Sequence, residues 1–287
     1  MTASTGSDPV VRATSLAEAL DALADAGDRG APLAGATWVM RSRLRSEPRK
    51  DVYVSLAGVR ELAGVSVNGA LQAGALATHA DLAGAGLTGA LAVIGEAAAT
   101  SAFPAVRNVA TLGGNLAARP FPEADLVPAL LAAEARIRVA TRDGERSVGV
   151  DEYMRSRDQR PTGELIAGVE VPAPAGRLSA YERLTVRGGG EYPIAAVAIS
   201  VDLDADGVVR DARVALGSVE PVACLSEAGA AALIGSPLGD EAAERCGTEA
   251  AAEAHPREGL DAPAWYRTAV LPALVRRAVG RITSERT

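Results

Sequence analysis

The chain has 287 residues, enough for two domains with sizeable buried cores, and with only 3% aromatics those cores must be built from Leu, Val, Ile and Ala. Its net charge is −7 and its cations are scattered, which excludes a surface for nucleic-acid phosphates; Arg41-Arg43-Arg45 with Arg49-Lys50 reads as a solvated loop. Cys224 and Cys246 stand alone, without the short spacing of a metal or iron–sulfur site, and are expected as buried or half-buried free thiols.

Met1 to Pro9 has neither the basic nor the apolar part of a leader peptide. No uncharged apolar run reaches the roughly 18 residues of a membrane span. A reducing, cytoplasmic setting is expected.

Ser15 and Glu18 predict a capping box for a first helix, with Leu16, Ala19, Leu20 and Leu23 on one face and Gly27 at its end. Ala31 to Leu33 and Asp51 to Leu56 predict strands, separated by the small-residue turn Ala34-Gly35-Ala36-Thr37. Asn68-Gly69 predicts a hairpin between 65–67 and 70–75. Thr78 is placed to cap a helix start at 78–82, and 87–100 is an Ala-rich helix. A Gly-rich loop spans Thr111 to Asn115. A helix follows from Asp125, then a hairpin over 137–150 turning at Asp143-Gly144, then a strand over 165–171. Pro172 to Gly176 is the candidate domain boundary. Beyond it, 178–186, 194–204 and 208–218 predict three long antiparallel strands, with helices from Ser226 onward. In the last helix Leu271, Leu274, Val275 and Ala278 share a face.

Two small-residue loops, Leu33 to Thr37 and Ala110 to Asn115, have the composition that lets a backbone approach a diphosphate. Thr37, Thr111 and Asn115 add side-chain donors. Taken alone, either loop is equally an ordinary strand-to-helix turn. Neither is a GxGxxG fingerprint, so a Rossmann site is not indicated. No Ser/His/Asp set, carboxylate dyad or metal cluster is recognisable, so no catalytic or metal-ligating residue is assigned. His255 is expected to be solvated.

The motifs taken together resemble those of one family. Val106-Arg107-Asn108-Val109-Ala110-Thr111-Leu112-Gly113-Gly114-Asn115-Leu116-Ala117 is similar to VRNRGTIGGNLA, Ala34 to Val39 to AGGTDL, Gly74 to Leu82 to GAxTTHAEL, and Ala212 to Val219 to ARVALGSV. With these motifs, and in element order to the C-terminus, the chain resembles the FAD-binding medium subunits of the xanthine dehydrogenase and carbon monoxide dehydrogenase (molybdenum hydroxylase) family.

The resemblance implies an α+β fold: a PCMH-type FAD-binding domain over 1–174, with subdomains of about 1–60 and 61–174, and a C-terminal domain over 177–287 with a three-stranded antiparallel sheet and helices. It implies that Leu33, Ala34, Gly35, Ala36, Thr37 and Trp38, with Thr111, Gly113, Gly114 and Asn115, wrap the FAD diphosphate. Thr78, His79 and Ile166 fall at cofactor-side positions. Asp125 matches the residue for the ribose or adenine end, although a helix N-cap is its ordinary alternative. Tyr192 matches a Tyr near the isoalloxazine, and its alternative is a strand-end aromatic. Arg183 lies where relatives carry Lys near the flavin, and its alternative is a surface strand residue.

The implied activity is oxidoreductase electron transfer. A molybdopterin large subunit hydroxylates substrate, a small subunit with two [2Fe–2S] clusters relays electrons, and the flavin passes them to NAD, quinone or oxygen. A dimer of heterotrimers is the implied assembly. A stand-alone FAD oxidoreductase and a flavin-free scaffold subunit are the alternatives. Three departures stand out. Ala36 replaces a Gly, a change expected to be tolerable only at negative φ. Trp38 replaces a smaller polar residue. The segment 119–124 is one residue longer than the family pattern before Asp125.

Overall fold

The computed structural model describes residues 10–187 and 191–284. In the first layer β1 (Val10–Arg12), α1 (Leu16–Ala26), β2 (Gly30–Leu33) and β3 (Val52–Ser55) form a parallel three-stranded sheet in the order β1-β3-β2, with one helix. The sequence pattern did not indicate β1. Ser15 caps α1 as expected, its Oγ accepting from the Glu18 N–H at 3.2 Å. The reciprocal half of the box is redirected, because the Glu18 carboxylate accepts from Thr14 N and Oγ1 instead. The apolar face of α1 buries Ala19, Leu20 and Leu23 against Val54 and Leu56, and against Leu165 and Ala167 of a neighbouring sheet.

That second sheet is antiparallel. β4 (Val65–Val67) and β5 (Ala70–Gly74) make the Asn68-Gly69 hairpin. The short helices α2 (His79–Gly84), α3 (Ala92–Thr100), α4 (Pro104–Arg107), α5 (Leu112–Ala117) and α6 (Leu126–Ala132) follow. Then come β6 (Arg136–Thr141), β7 (Gly144–Gly149), α7 (Val150–Ser156) and β8 (Leu165–Pro172), giving the strand order β4-β5-β8-β6-β7. The segment expected as a Gly-rich loop is mostly helix. Thr111 is the N-cap of α5, and Gly113, Gly114 and Asn115 lie inside it.

The third layer holds β9 (Leu178–Thr185), β10 (Pro193–Leu203), β11 (Val209–Gly217) and β12 (Cys224–Leu225), followed by α8 (Glu227–Leu233), α9 (Asp240–Glu253), α10 (Ala264–Ala269) and α11 (Leu271–Ser284). The sheet has four strands, not three. The two-residue β12 is too short to leave a periodic signal, and it pairs on the outer edge of β11.

All seven residues of α6 are buried, because the helix is sandwiched between the second and third sheets. β10 is buried over nine consecutive residues for the same reason. Its Ala196 and Ala198 join the core that contains α6, while Val197, Ile199 and Val201 join α9 and α11 on the other face. The side toward α6 is built from small residues so that the helix can approach. At Gly217 a Cβ would lie 2.7 Å from the ring of Pro128 in α6. The predicted face of the last helix, Leu271, Leu274, Val275 and Ala278, is fully buried. Both cysteines are free, and burial pushes each thiol up to about 12. Among the described residues no helix is long and apolar enough to cross a membrane.

Candidate functional site

β2 ends at Leu33, and the chain turns sharply through Ala34 to Trp38 into a 3-10 segment, Val39–Arg45. Gly35 is required by packing: a Cβ there would sit 1.8 Å from the Val109 carbonyl oxygen. This glycine therefore lets the first turn rest on the backbone that leads into α5. Ala36 has φ 59°, contrary to the negative value expected of it. Its carbonyl accepts from the Met40 N–H at 2.9 Å, which closes a turn over residues 36–40. The Cβ strain there is about 1–2 kcal/mol. Ala36→Gly should relieve it at some cost in chain entropy, for a net gain of about 0.5–1 kcal/mol. Chemical denaturation measures this, and a destabilised Gly variant would show the turn to be differently shaped.

No backbone N–H from Ala34 to Trp38 has a protein acceptor among the described residues. The second segment is different. The Leu112 and Gly113 amides donate to Ala77 O and Ala75 O, and the Gly114 amide donates to Thr111 Oγ1. Its glycine amides are thus already used within the protein, unlike the amides of the first turn. Two side-chain donors remain there. Among the described residues the Thr111 hydroxyl proton has no acceptor, and Asn115, whose Oδ1 accepts from Leu126 N at 3.2 Å, keeps its amide N–H groups.

Two of the three departures from the family pattern meet in space. Trp38 packs on Phe121, of the longer 119–124 segment, with ring centroids 4.5 Å apart, and Phe121 meets Tyr192 edge-on at 5.5 Å. Arg45 covers Trp38 at 3.7 Å and ion-pairs with Glu47; Arg41 donates to the Tyr192 hydroxyl at 2.6 Å. The basic group read as a solvated loop therefore holds this aromatic column in part.

Asp125 does not cap α6 with its side chain. Its buried carboxylate accepts from the Tyr181 hydroxyl at 2.7 Å and lies 3.2 Å from Arg183 Nε. Arg183 is no surface residue: its side chain is 7% exposed and also donates to the carbonyls of Thr100 and Glu191. The sequence reading missed Tyr181, although the i, i+2 spacing of Tyr181 and Arg183 on one strand face was the available signal.

Burial pushes the Asp125 carboxyl up to about 6, while Arg183 and the Tyr181 hydroxyl pull the other way. Burial, with the Arg107 charge adding to it, pulls His79 down to about 4. The two act oppositely on stability. Asp125 binds its proton more tightly folded than unfolded, so from about pH 4 to 6 it makes stability fall as pH rises. His79 binds its proton more weakly when folded, so over about pH 4 to 6.5 it makes stability rise. Asp125→Asn should leave the His79 contribution alone, and stability should then climb more steeply between pH 4 and 6 than in the unmodified protein. Denaturation across that range checks this, and equal slopes would contradict a buried acid at 125.

These features share one cleft of about 1120 Å³, above the usual range for small-ligand pockets and roomy enough for a dinucleotide. Of the residues singled out from the sequence, all but Leu33, Thr78 and Arg183 line it. Leu33 ends β2, Thr78 is occupied in a capping box with Asp81, and Arg183 lies behind Asp125. The cleft is also lined by Arg157 and Arg160, which no motif or spacing singled out.

Residues 4–174 match the family model described as the FAD binding domain in molybdopterin dehydrogenase, and residues 179–282 match the CO dehydrogenase flavoprotein C-terminal domain. The chain belongs to the FAD-binding medium subunits of the xanthine dehydrogenase and carbon monoxide dehydrogenase family. The carbon monoxide dehydrogenase medium chain of Afipia carboxidovorans is 29% identical over 284 residues, 96% of each chain. Subunit alpha of the 6-hydroxypseudooxynicotine dehydrogenase complex of Paenarthrobacter nicotinovorans is 31% identical, over 94% of this chain and 93% of its own. Reconstituted CO dehydrogenase from Oligotropha carboxidovorans contains a chain that superposes with a TM-score of 0.88 at 27% identity, covering 97% of this chain and 98% of that one. This medium subunit is accordingly an oxidoreductase component with FAD as its cofactor. The donors without acceptors in the cleft fit an anionic dinucleotide: five turn amides, a hydroxyl and a carboxamide suit a diphosphate.

Proposed function

We propose that this medium subunit carries FAD between the Ala34–Trp38 turn and the Thr111–Asn115 segment, and relays electrons from [2Fe–2S] clusters of a partner subunit to an external acceptor. A molybdopterin-binding large subunit would carry out substrate hydroxylation, and a dimer of heterotrimers in the cytoplasm is the expected assembly. NAD, quinone and oxygen are the acceptor classes compatible with this role. The observation that carries the reading is the set of turn amides lacking acceptors in a cleft of dinucleotide size.

FAD supplies the redox chemistry when bound, and the protein supplies binding, orientation and electrostatics. The turn amides, the Thr111 hydroxyl and the Asn115 amide would hold the diphosphate. Asp125, an acceptor when ionised, would take hydrogen bonds from sugar hydroxyls or adenine N–H groups. Arg183 acts as a positioning residue, because it ties Asp125 to the Glu191 carbonyl and so fixes the stem of Tyr192. Trp38, Phe121 and Tyr192 offer aromatic surface to a planar ring.

The test is purification of the native complex. The chain is expected to travel with an iron–sulfur subunit and a molybdenum subunit, with one flavin per copy and the visible bands of oxidised flavin. A purified chain that has no flavin, takes up none from excess FAD and travels alone would overturn the proposal.

A further inference from the structure

Three arginines stand in the cleft wall beyond α5: Arg119, Arg157 and Arg160. Two of them are neutralised. Arg119 pairs with Asp158 at 3.1 Å, and Arg160 pairs with Glu164 at 3.1 Å while its guanidinium covers the Tyr153 ring. Arg157 is different. It directly follows α7, it is 6% exposed, and among the described residues no carboxylate pairs with its guanidinium. Arg41 and Lys50, the other cleft cations without a carboxylate, are exposed and so solvated.

The three nitrogens of Arg157 have different surroundings. Nη1 donates to Ala118 O at 3.1 Å. Nε is buried without a partner. Nη2 has no partner among the described residues either, but unlike Nε it is not sealed off from the cleft that Arg157 lines. Ala118 closes α5, and its own N–H donates to Gly114 O at 3.0 Å. The guanidinium is therefore anchored one helical turn, about 5.4 Å, beyond Gly114. Gly113, Gly114, Ala117 and Ala118 line the same wall.

A cation taken out of water is costly unless an anion meets it. Burial disfavours the charge of Arg157, and the exposed Asp158 carboxylate, already held by Arg119, offsets this only in part. An anionic diphosphate brings the missing charge. The turn amides, the Thr111 hydroxyl and the Asn115 amide offer it dipoles but no charge.

We infer that Arg157 is a further cofactor-binding residue, whose Nη2 donates to the FAD diphosphate as the one charged group in a site otherwise built from dipoles. The inference rests on the FAD reading above. A sugar hydroxyl or a neutral ring edge would take the hydrogen bond but leave the charge uncompensated, so a phosphate is the partner that fits.

The experiment uses the full chain freed of flavin, with the variants Arg157→Gln and Arg157→Lys. Arg157→Gln should bind FAD about tenfold to a hundredfold more weakly, the effect of losing one hydrogen bond to a charged group. ADP, which carries a diphosphate without the flavin, should show the same loss. Riboflavin, which has no phosphate, should show none. Arg157→Lys should recover part of the loss as a point charge. Added salt should weaken FAD binding to the unmodified chain more than to Arg157→Gln. Equal FAD affinity of Arg157→Gln and the unmodified chain would overturn the inference and leave the functional proposal standing, as would a loss as large for riboflavin as for ADP. If Arg157→Gln fails to fold, a crystal structure of the unmodified chain with ADP decides. A phosphate oxygen about 3 Å from Nη2 supports the inference, and a phosphate held away from it overturns it. An unmodified chain that takes up neither FAD nor ADP overturns both.

Discussion

A Gly114→Val variant should fold as the parent does and bind FAD about a hundredfold more weakly. Gly114 is exposed on the cleft side of α5, and its N–H is already used by the Thr111 cap. A Cβ there would approach only Thr111 Oγ1, at 2.9 Å, with nothing else within 4 Å. Core packing is therefore spared. The added methyls crowd the Thr111 hydroxyl and occupy space meant for ligand, an overpacking effect of about 2–3 kcal/mol on the bound state. Flavin fluorescence titration measures the loss, and a melting temperature near that of the parent shows it to be local. The neighbouring glycines behave differently. At Gly113 a Cβ would meet Ala75 at 2.9 Å, and at Gly35 it would overlap the Val109 backbone. Substitution at either should damage folding as well as binding. Stoichiometric flavin retained by Gly114→Val would remove the second segment from the cofactor site.

Arg267→Met should destabilise the protein by about 3–5 kcal/mol, the usual result of breaking a buried ionic network. Arg267 is fully buried in α10. Its guanidinium donates to Asp261 at 2.7 Å, to Ile194 O at 2.6 Å, and to the carbonyls of Ser218, Arg257 and Ala262. One side chain thus joins the start of β10, the end of β11 and the 257–262 strap, whose Asp261 lines the cleft. Methionine fills much of the volume but makes none of these hydrogen bonds, although Ser218 O keeps the Arg257 Nε donor at 3.0 Å. The melting temperature should fall by about 10 °C. Lysine should recover little, because a compact ammonium cannot span the same five acceptors. A loss below about 1 kcal/mol would show that water replaces the guanidinium without difficulty.

How much was legible in the sequence depended on whether the signal was local. The first helix, the Asn68-Gly69 hairpin, the three long C-terminal strands and the face of the last helix all follow from caps, turn residues and periodicity, which act within a few residues. The motifs also located the two segments that line one side of the cleft. They did not reveal that the second segment is a capped helix with its glycine amides consumed, because a six-residue helix with two glycines has no helical signature of its own.

What the sequence determined by itself was the order of the longer elements, without β1, α5 and β12, and the identity of the small residues at the two turns. The tertiary structure alone decided what each small residue is for. Gly35 makes room for a backbone far away in sequence, Ala36 takes a positive φ in the first turn, and Gly217 yields to Pro128. It also decided the polar partners: Asp125 with Tyr181 and Arg183, Trp38 with Phe121, and Ser101 with His79. The physical reason is common to all of them. Dihedral preference and capping are properties of neighbouring residues, whereas close approach, burial and hydrogen-bond pairing depend on groups that only the folded chain brings together.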